Sequence, residues 1–84
     1  GDVAVYPNPA RDVIHISLAG VKPGNYRVEL ISSAGQIMYK TEIKNNSATT
    51  INYMRTKSSP PGIYLVRITD IDEGTTETRK LLFE

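Results

Sequence analysis

The chain has 84 residues and a mass of 9.3 kDa, enough for one domain that buries roughly 63% of its unfolded surface. Ten basic residues balance nine acidic ones, so the net charge gives no argument for binding to nucleic acid or to an anionic membrane. Cysteine is absent, which excludes disulfides and a thiolate metal site. No apolar run approaches the ~20 residues of a membrane-spanning helix. Such a thin core leaves little room for a deep catalytic pocket. We therefore expect that the chain is not an enzyme and binds no cofactor. Because residue 1 is glycine rather than methionine, we also expect the chain to be a segment of a longer protein.

Apolar residues alternate with polar ones along most of the chain, as where Ile14, Ile16 and Leu18 flank His15 and Ser17. A period of two is typical of strands with one face in a core, and the Ile, Val, Tyr and Thr content agrees. No window has helical spacing. Turn-forming groups interrupt the pattern about every ten residues. The alternation predicts seven strands, near residues 3–6, 12–18, 25–32, 36–43, 47–53, 62–69 and 75–83.

Seven short antiparallel strands predict an all-β fold, an immunoglobulin-like β-sandwich forming one domain over residues 1–84. A small open barrel is the alternative that periodicity does not separate from it. In the fourth strand, Ile37, Tyr39 and Ile43 are predicted to face the core, with Met38 on the opposite face.

The turn-forming residues predict specific backbone conformations between the strands. Pro7 and Pro9 fix φ and end the first strand, because neither donates a hydrogen bond, and Asn8 is expected to bond locally in the bend. Gly35 is expected to permit a tight reversal, and Gly62 to free the backbone entering the next strand. Residues 45–46 (Asn-Asn) are expected to turn through the left-handed region, which asparagine tolerates.

One candidate for catalysis is His15, the single histidine, with Ser17 on the same strand face and Asp12 nearby. A nucleophile and base need an orienting group and a site that excludes water. An open strand face supplies neither, so His15 is predicted to be a surface residue, with a small hydrolase as the minor alternative.

Asp70, Asp72 and Glu73 before Gly74 suggest an oxygen-rich calcium loop. The EF-hand pattern needs a glutamate at its twelfth position, which counting from Asp70 is Leu81. A charged hairpin loop is therefore the main expectation, and a weak surface calcium site the alternative.

The remaining side chains offer little for nucleic acid or sugars. Basic residues are interleaved with acidic ones, and one Phe and no Trp give no platform for stacking. The five tyrosines are mostly at core positions of the pattern. The apolar segment at residues 80–83 has two interpretations: the last strand of the core, or an edge strand that a partner recognises by strand addition.

Four blocks of the chain form a recognisable series. They read Val5-Tyr6-Pro7-Asn8-Pro9-Ala10 with Asp12, Tyr26-Arg27-Val28-Glu29-Leu30 running into Ser32-Ser33-Ala34-Gly35-Gln36, Pro61-Gly62-Ile63-Tyr64-Leu65-Val66-Arg67-Ile68, and Lys80-Leu81-Leu82-Phe83. In order and approximate spacing this series resembles the C-terminal sorting domains of type IX secretion, the Por secretion system of Bacteroidota. The resemblance covers nearly the whole chain.

The resemblance implies a secretion signal at the end of a cargo protein, whose N-terminal domain belongs to the same chain. The cargo would cross the periplasm and be directed by an outer-membrane translocon to the cell surface or the medium. A surface sortase would then remove the domain, at or before its first strand, and join the cargo to lipopolysaccharide. The domain would contribute no catalytic group, cofactor site or metal site. The alternative is an adhesive or spacer module of immunoglobulin or fibronectin type, retained on a surface protein.

The residues that the resemblance marks for recognition lie in the four blocks. They are Pro7, Asn8, Pro9, Gly35, Gly62, Tyr64, Val66, Lys80, Leu81, Leu82 and Phe83. Many such domains end in a basic residue, whereas this chain ends in Glu84. An exposed last strand would also favour an edge-to-edge homodimer.

Overall fold

The computed structural model describes residues 2–84, so Gly1 of the predicted domain lies outside the described residues. The described chain is all-β and contains no helix. Its strands are β1 (Asp2–Tyr6), β2 (Val13–Gly20), β3 (Gly24–Ser32), β4 (Ile37–Asn45), β5 (Thr50–Met54), β6 (Gly62–Asp70) and β7 (Thr75–Phe83). All seven predicted strands are confirmed. No helix long and apolar enough to cross a membrane occurs among residues 2–84.

The strands form two sheets, as in the predicted sandwich, rather than the small open barrel that was the alternative. The first has the order β1-β2-β5 and the second the order β4-β3-β6-β7, and every pairing is antiparallel. This is the predicted immunoglobulin-like sandwich. We call the solvent side of the second sheet the outer face.

The core lies between the sheets and is built from the alternate residues that the period of two selects. The accessible surface of the folded chain is 4932 Å², close to the roughly 5,000 Å² expected for a chain of this size. Both sheets contribute to the buried cluster, which consists of Val3, Ala10, Ile14, Ile16, Leu18, Tyr26, Val28, Leu30, Ile51, Tyr53, Tyr64, Val66, Ile68, Leu81 and Phe83.

The start of β4 departs from the predicted alternation. Tyr39 and Ile43 pack against the core as predicted, but the register shifts by one residue so that Ile37 lies opposite Ile31. The extra residue breaks the alternation, so a side chain before the bulge lies on the opposite face from the one that an unbroken alternation gives. Ile37 is therefore 47% exposed on the outer face, and Met38 packs against the core instead. The prediction for these two residues was wrong.

The predicted left-handed turn at residues 45–46 was also wrong, since no described residue other than glycine has a positive φ. Asn45 instead ends β4 fully buried and acts through its side chain. Its Nδ2 donates to three carbonyl oxygens, those of Leu18 at 3.2 Å, Val21 at 3.3 Å and Lys22 at 3.3 Å. Its Oδ1 accepts from the Thr49 amide at 3.2 Å. One buried amide thus joins β4 to the end of β2 and orders the crossing to β5.

Candidate recognition site

The last strand, β7, lies at the edge of the second sheet and pairs with β6 along its whole length. Its final residues alternate sharply between the two sides of the sheet. Leu81 and Phe83 are 0% and 1% exposed in the core, whereas Leu82 is 39% exposed and Lys80 is also exposed on the outer face. The last motif block therefore divides into two residues that anchor the strand and two that meet solvent.

Phe83 is held by contacts from two other parts of the chain. Its ring meets Tyr64 edge-on with centroids 5.1 Å apart, and the Arg55 guanidinium lies 4.6 Å from its centroid. The Tyr64 hydroxyl donates to the Pro60 carbonyl at 2.6 Å, and Val66 is fully buried. These aromatic and cation–π contacts add to apolar burial. Tyr64, Val66 and Phe83 therefore support the fold and offer no surface to a partner.

Asn8 does not bond locally, so that prediction was wrong. Its Nδ2 donates to the Lys80 carbonyl at 2.9 Å and its Oδ1 accepts from the Leu82 amide at 2.9 Å. Beyond it, the Ala10 amide donates to the Leu82 carbonyl at 2.9 Å and the Glu84 amide donates to the Ala10 carbonyl at 2.8 Å. Ala10 forms a parallel bridge with Phe83, and the side chain of Asn8 extends this pairing toward Lys80. We call residues 7–10 the edge clamp.

The edge clamp follows β1 directly and moves the chain from the first sheet to the second. Pro7 and Pro9 are exposed, and each follows a cis peptide bond. The edge clamp bonds residues 80–84 along the side of β7 that faces away from β6. The first half of β7 has no strand partner on that side among the described residues. The edge-to-edge homodimer stays a prediction, now confined to that earlier half, and sedimentation at high concentration tests it.

Arg55 is a contributor that the sequence analysis missed. Its Nη1 donates to the main-chain oxygens of Arg11 at 2.8 Å and Glu84 at 2.6 Å, and its Nε donates to the Ser59 carbonyl at 2.8 Å. Together with its place over Phe83, this joins three distant segments at the end of β7. Nothing in the local sequence distinguishes Arg55 from the other scattered cations, because its partners come together only in the folded chain.

The two predicted glycines lie near the same end of the molecule. Gly35 has φ of 85° in the turn between β3 and β4, and Gly62 has φ of 148° where β6 begins opposite Phe83. Both values favour glycine. The turn at residues 32–36 and the segment at residues 60–64 line one shallow groove of about 330 Å³. The structure therefore brings parts of all four motif blocks together at one end of the sandwich.

An ion pair with a buried carboxylate lies next to this end on the outer face. The Glu29 side chain is 6% exposed, and its Oε1 lies 2.9 Å from Nε of Arg67, whose side chain is 42% exposed. The hydrogen bond from Arg67 is the largest cause that lowers the pKa of Glu29, opposed by burial and assisted by the positive charges of Arg67, Arg27 and Lys40. The Glu29 side chain is therefore favoured as a carboxylate on this face.

Comparison with known families agrees with this arrangement. Residues 4–84 match the family described as secretion system C-terminal sorting domain. The chain belongs to this family. It is thus a type IX secretion sorting signal, which implies interaction with the secretion machinery and a cargo domain, and export of that cargo across the outer membrane to the surface or the medium. The family's role is not catalytic. No curated protein and no solved structure matched the chain.

In this sorting domain, His15 has no hydrogen bond to either predicted catalytic partner among the described residues. Its Nδ1 lies 2.7 Å from Oδ1 of Asn52, and its ring centroid is 5.2 Å from that of Tyr6. Ser17 accepts at Oγ from the Ala19 amide at 3.3 Å. The histidine is a half-buried residue on the solvent side of the first sheet.

The acidic segment of the sorting domain forms the charged hairpin loop between β6 and β7. Asp70 Oδ1 accepts from the amides of Asp72 and Glu73, each at 3.1 Å. Hydrogen bonds from the main chain and then the side chain of Asn25 lower the pKa of Asp72, and Lys22 pairs with Glu73. Residues 2–84 contain no group of three or more His, Cys, Asp or Glu side chains placed to hold a metal ion.

Proposed function

We propose that residues 1–84 form a single sorting domain that the outer-membrane translocon reads as a folded unit while the cargo is in the periplasm. The observation that carries this proposal is the placement of the C-terminal block. Its strand is paired with β6, bonded by the edge clamp and anchored by Leu81 and Phe83. A free terminal peptide would have its side chains available on all sides, whereas this strand presents only alternate ones.

The proposed recognition residues then fall into three groups. Four of them, Tyr64, Val66, Leu81 and Phe83, are buried and act by holding the strands in register. Gly35 and Gly62 act through the backbone conformations they permit. The exposed members, Pro7, Asn8, Pro9, Lys80 and Leu82, are the ones a partner can touch.

After translocation, a surface sortase removes the domain and joins the cargo to lipopolysaccharide. The family membership supports this step, and the domain enters it as the part that is cut away. Mass spectrometry of the mature surface cargo tests it: peptides from residues 1–84 should be absent. Their presence would contradict the sortase step and favour an adhesive or spacer module.

Deletion of residues 80–84 in the full cargo protein tests the sorting role. The deletion removes Phe83 and the partners of the edge clamp, so we expect the cargo to accumulate in the periplasm. Met54→Ala is the control, because Met54 is 71% exposed on the first sheet, away from the C-terminal strand. Normal surface display of the truncated cargo would contradict the proposed function.

A further inference from the structure

The outer face carries a group of apolar side chains near the end where the motif blocks meet. They are Ile31, Ile37, Ile63, Leu65 and Leu82, which we call the apolar patch. Ile31 is paired on one side with Ile37 and on the other with Leu65, and Ile63 is paired with Leu82. Cross-strand partners on one face are in contact distance, so the patch is continuous. Four of the five are 39–49% exposed.

The same face holds an excess of positive charge. By register it carries five of the ten basic residues and two of the nine acidic ones, so its net charge is +3 whereas the rest of the chain sums to −2. These charged residues are Arg27, Lys40, Lys44, Arg67, Lys80, Glu29 and Glu42. Arg27 is paired with Glu42 at 3.3 Å and Arg67 with Glu29 at 2.9 Å. Among residues 2–84, the other three cations of this face, Lys40, Lys44 and Lys80, form no ion pair, and their charge remains for a partner.

Two of those lysines border the apolar patch directly. Lys80 lies opposite Leu65 on β7, and Lys40 lies opposite Glu29 on β4, one row away from Ile31. An apolar centre with a polar, solvent-accessible rim is the usual composition of a protein–protein interface. Membrane-surface sites instead use clusters of about four to eight unpaired cations, usually with aromatic anchors. The patch has no aromatic member and two carboxylates lie on the same sheet face, so a protein partner is favoured.

We propose that the apolar patch, with Lys40 and Lys80 at its rim, is the surface by which this sorting domain docks onto the secretion machinery. The partner is a protein face with an apolar centre and carboxylates around it. This inference rests on the proposed function and assigns it a surface. It also divides the last motif block: Lys80 and Leu82 contact the partner, while Leu81 and Phe83 keep them in place.

Single charge substitutions in the full cargo protein test this assignment. Leu82→Glu places a carboxylate in the apolar patch and Lys80→Glu reverses a rim charge, and both side chains are exposed, so the fold should tolerate them. Met54→Glu is the matched control on the other sheet. We expect surface cargo to fall about tenfold or more for the two patch variants, as for residues central to an interface, and less than twofold for the control.

Site-specific photocrosslinking in secreting cells provides the second readout. A photoreactive residue at position 82 should crosslink to an outer-membrane protein of the secretion system, whereas one at position 54 should not, and added salt should reduce crosslinking in isolated membranes. Equal crosslinking from both positions would overturn the proposal. A second result would also overturn it. If the purified domain binds vesicles of anionic phospholipid, and Leu82→Glu and Lys80→Glu abolish that binding, the patch is a lipid-binding surface instead.

The two proposals fail in different ways. If deletion of residues 80–84 blocks export but Leu82→Glu and Lys80→Glu export normally with unchanged thermal stability, the patch is not the docking surface and the sorting role stands. If the deletion exports normally, the sorting role itself is wrong. Circular dichroism of each purified variant separates a lost contact from a lost fold.

Discussion

Replacing Asn8 by alanine tests whether the edge clamp stabilises the last strand. The substitution removes two hydrogen bonds of 2.9 Å, one to the Lys80 carbonyl and one from the Leu82 amide. A hydrogen bond contributes about 0.5–1.5 kcal/mol net, and these are exposed, so their joint contribution should be about 1–2 kcal/mol. With roughly 2.1 cal/mol/K of unfolding entropy per residue, that loss lowers the Tm of a domain of this length by about 6–11 °C.

Two measurements check this value. Thermal unfolding by circular dichroism gives the change in Tm, and hydrogen exchange followed by NMR reports on the Leu82 amide, which should exchange faster in the variant. Asn46→Ala is the matched control, since Asn46 is exposed and lies in the connection between β4 and β5. Its effect should stay below about 0.5 kcal/mol. If Asn8→Ala shifts Tm no more than Asn46→Ala and leaves Leu82 exchange unchanged, the clamp does not stabilise the strand.

Three further substitutions address the core and the outer face. Phe83→Ala should cost about 3–5 kcal/mol, a large part of the total stability of a domain this small, so urea should unfold it at a far lower concentration. Asn45→Ala should cost about 2–4 kcal/mol, because it leaves buried main-chain groups without their partner, and the urea midpoint measures this too. The Arg67 hydrogen bond lowers the pKa of Glu29, so the Glu29 carboxylate stabilises the fold above its unfolded pKa of about 4.3, and this contribution is lost as pH falls through the lower folded pKa. Glu29→Gln should therefore flatten the dependence of the urea midpoint on pH below about pH 5, and an unchanged profile would contradict this role for the pair.

The sheets could be predicted from the sequence because their signal is local. The alternation of apolar and polar residues, and the proline and glycine turns that interrupt it, are visible in short stretches of sequence. This pattern predicted the inward faces of most strands correctly. It failed at the start of β4, where a bulge placed Ile37 on the outer face and Met38 against the core. A bulge of one residue breaks the alternation between the two stretches of strand that it separates, yet it leaves no distinct mark in a short run of apolar residues.

The contacts at the candidate recognition site could not be predicted in this way. Asn8 bonds residues 72 and 74 positions away, and Arg55 bonds Arg11 and Glu84, 44 and 29 positions away. Such contacts depend on how the two sheets are placed against each other. The motif blocks indicated which residues to expect at the candidate site, and the fold showed which of them are buried and which are exposed.

Transfer of the signal to an unrelated protein is the most direct test of the sorting role. Residues 1–84 would be fused to the C-terminus of a reporter that carries a periplasmic signal peptide, in a bacterium that has a type IX system. Surface exposure is measured by digestion of intact cells with an external protease. We expect the reporter to reach the surface with the wild-type domain and with Met54→Glu, and to stay in the periplasm with residues 80–84 deleted. A reporter that stays in the periplasm with the intact, folded domain would contradict the sorting role.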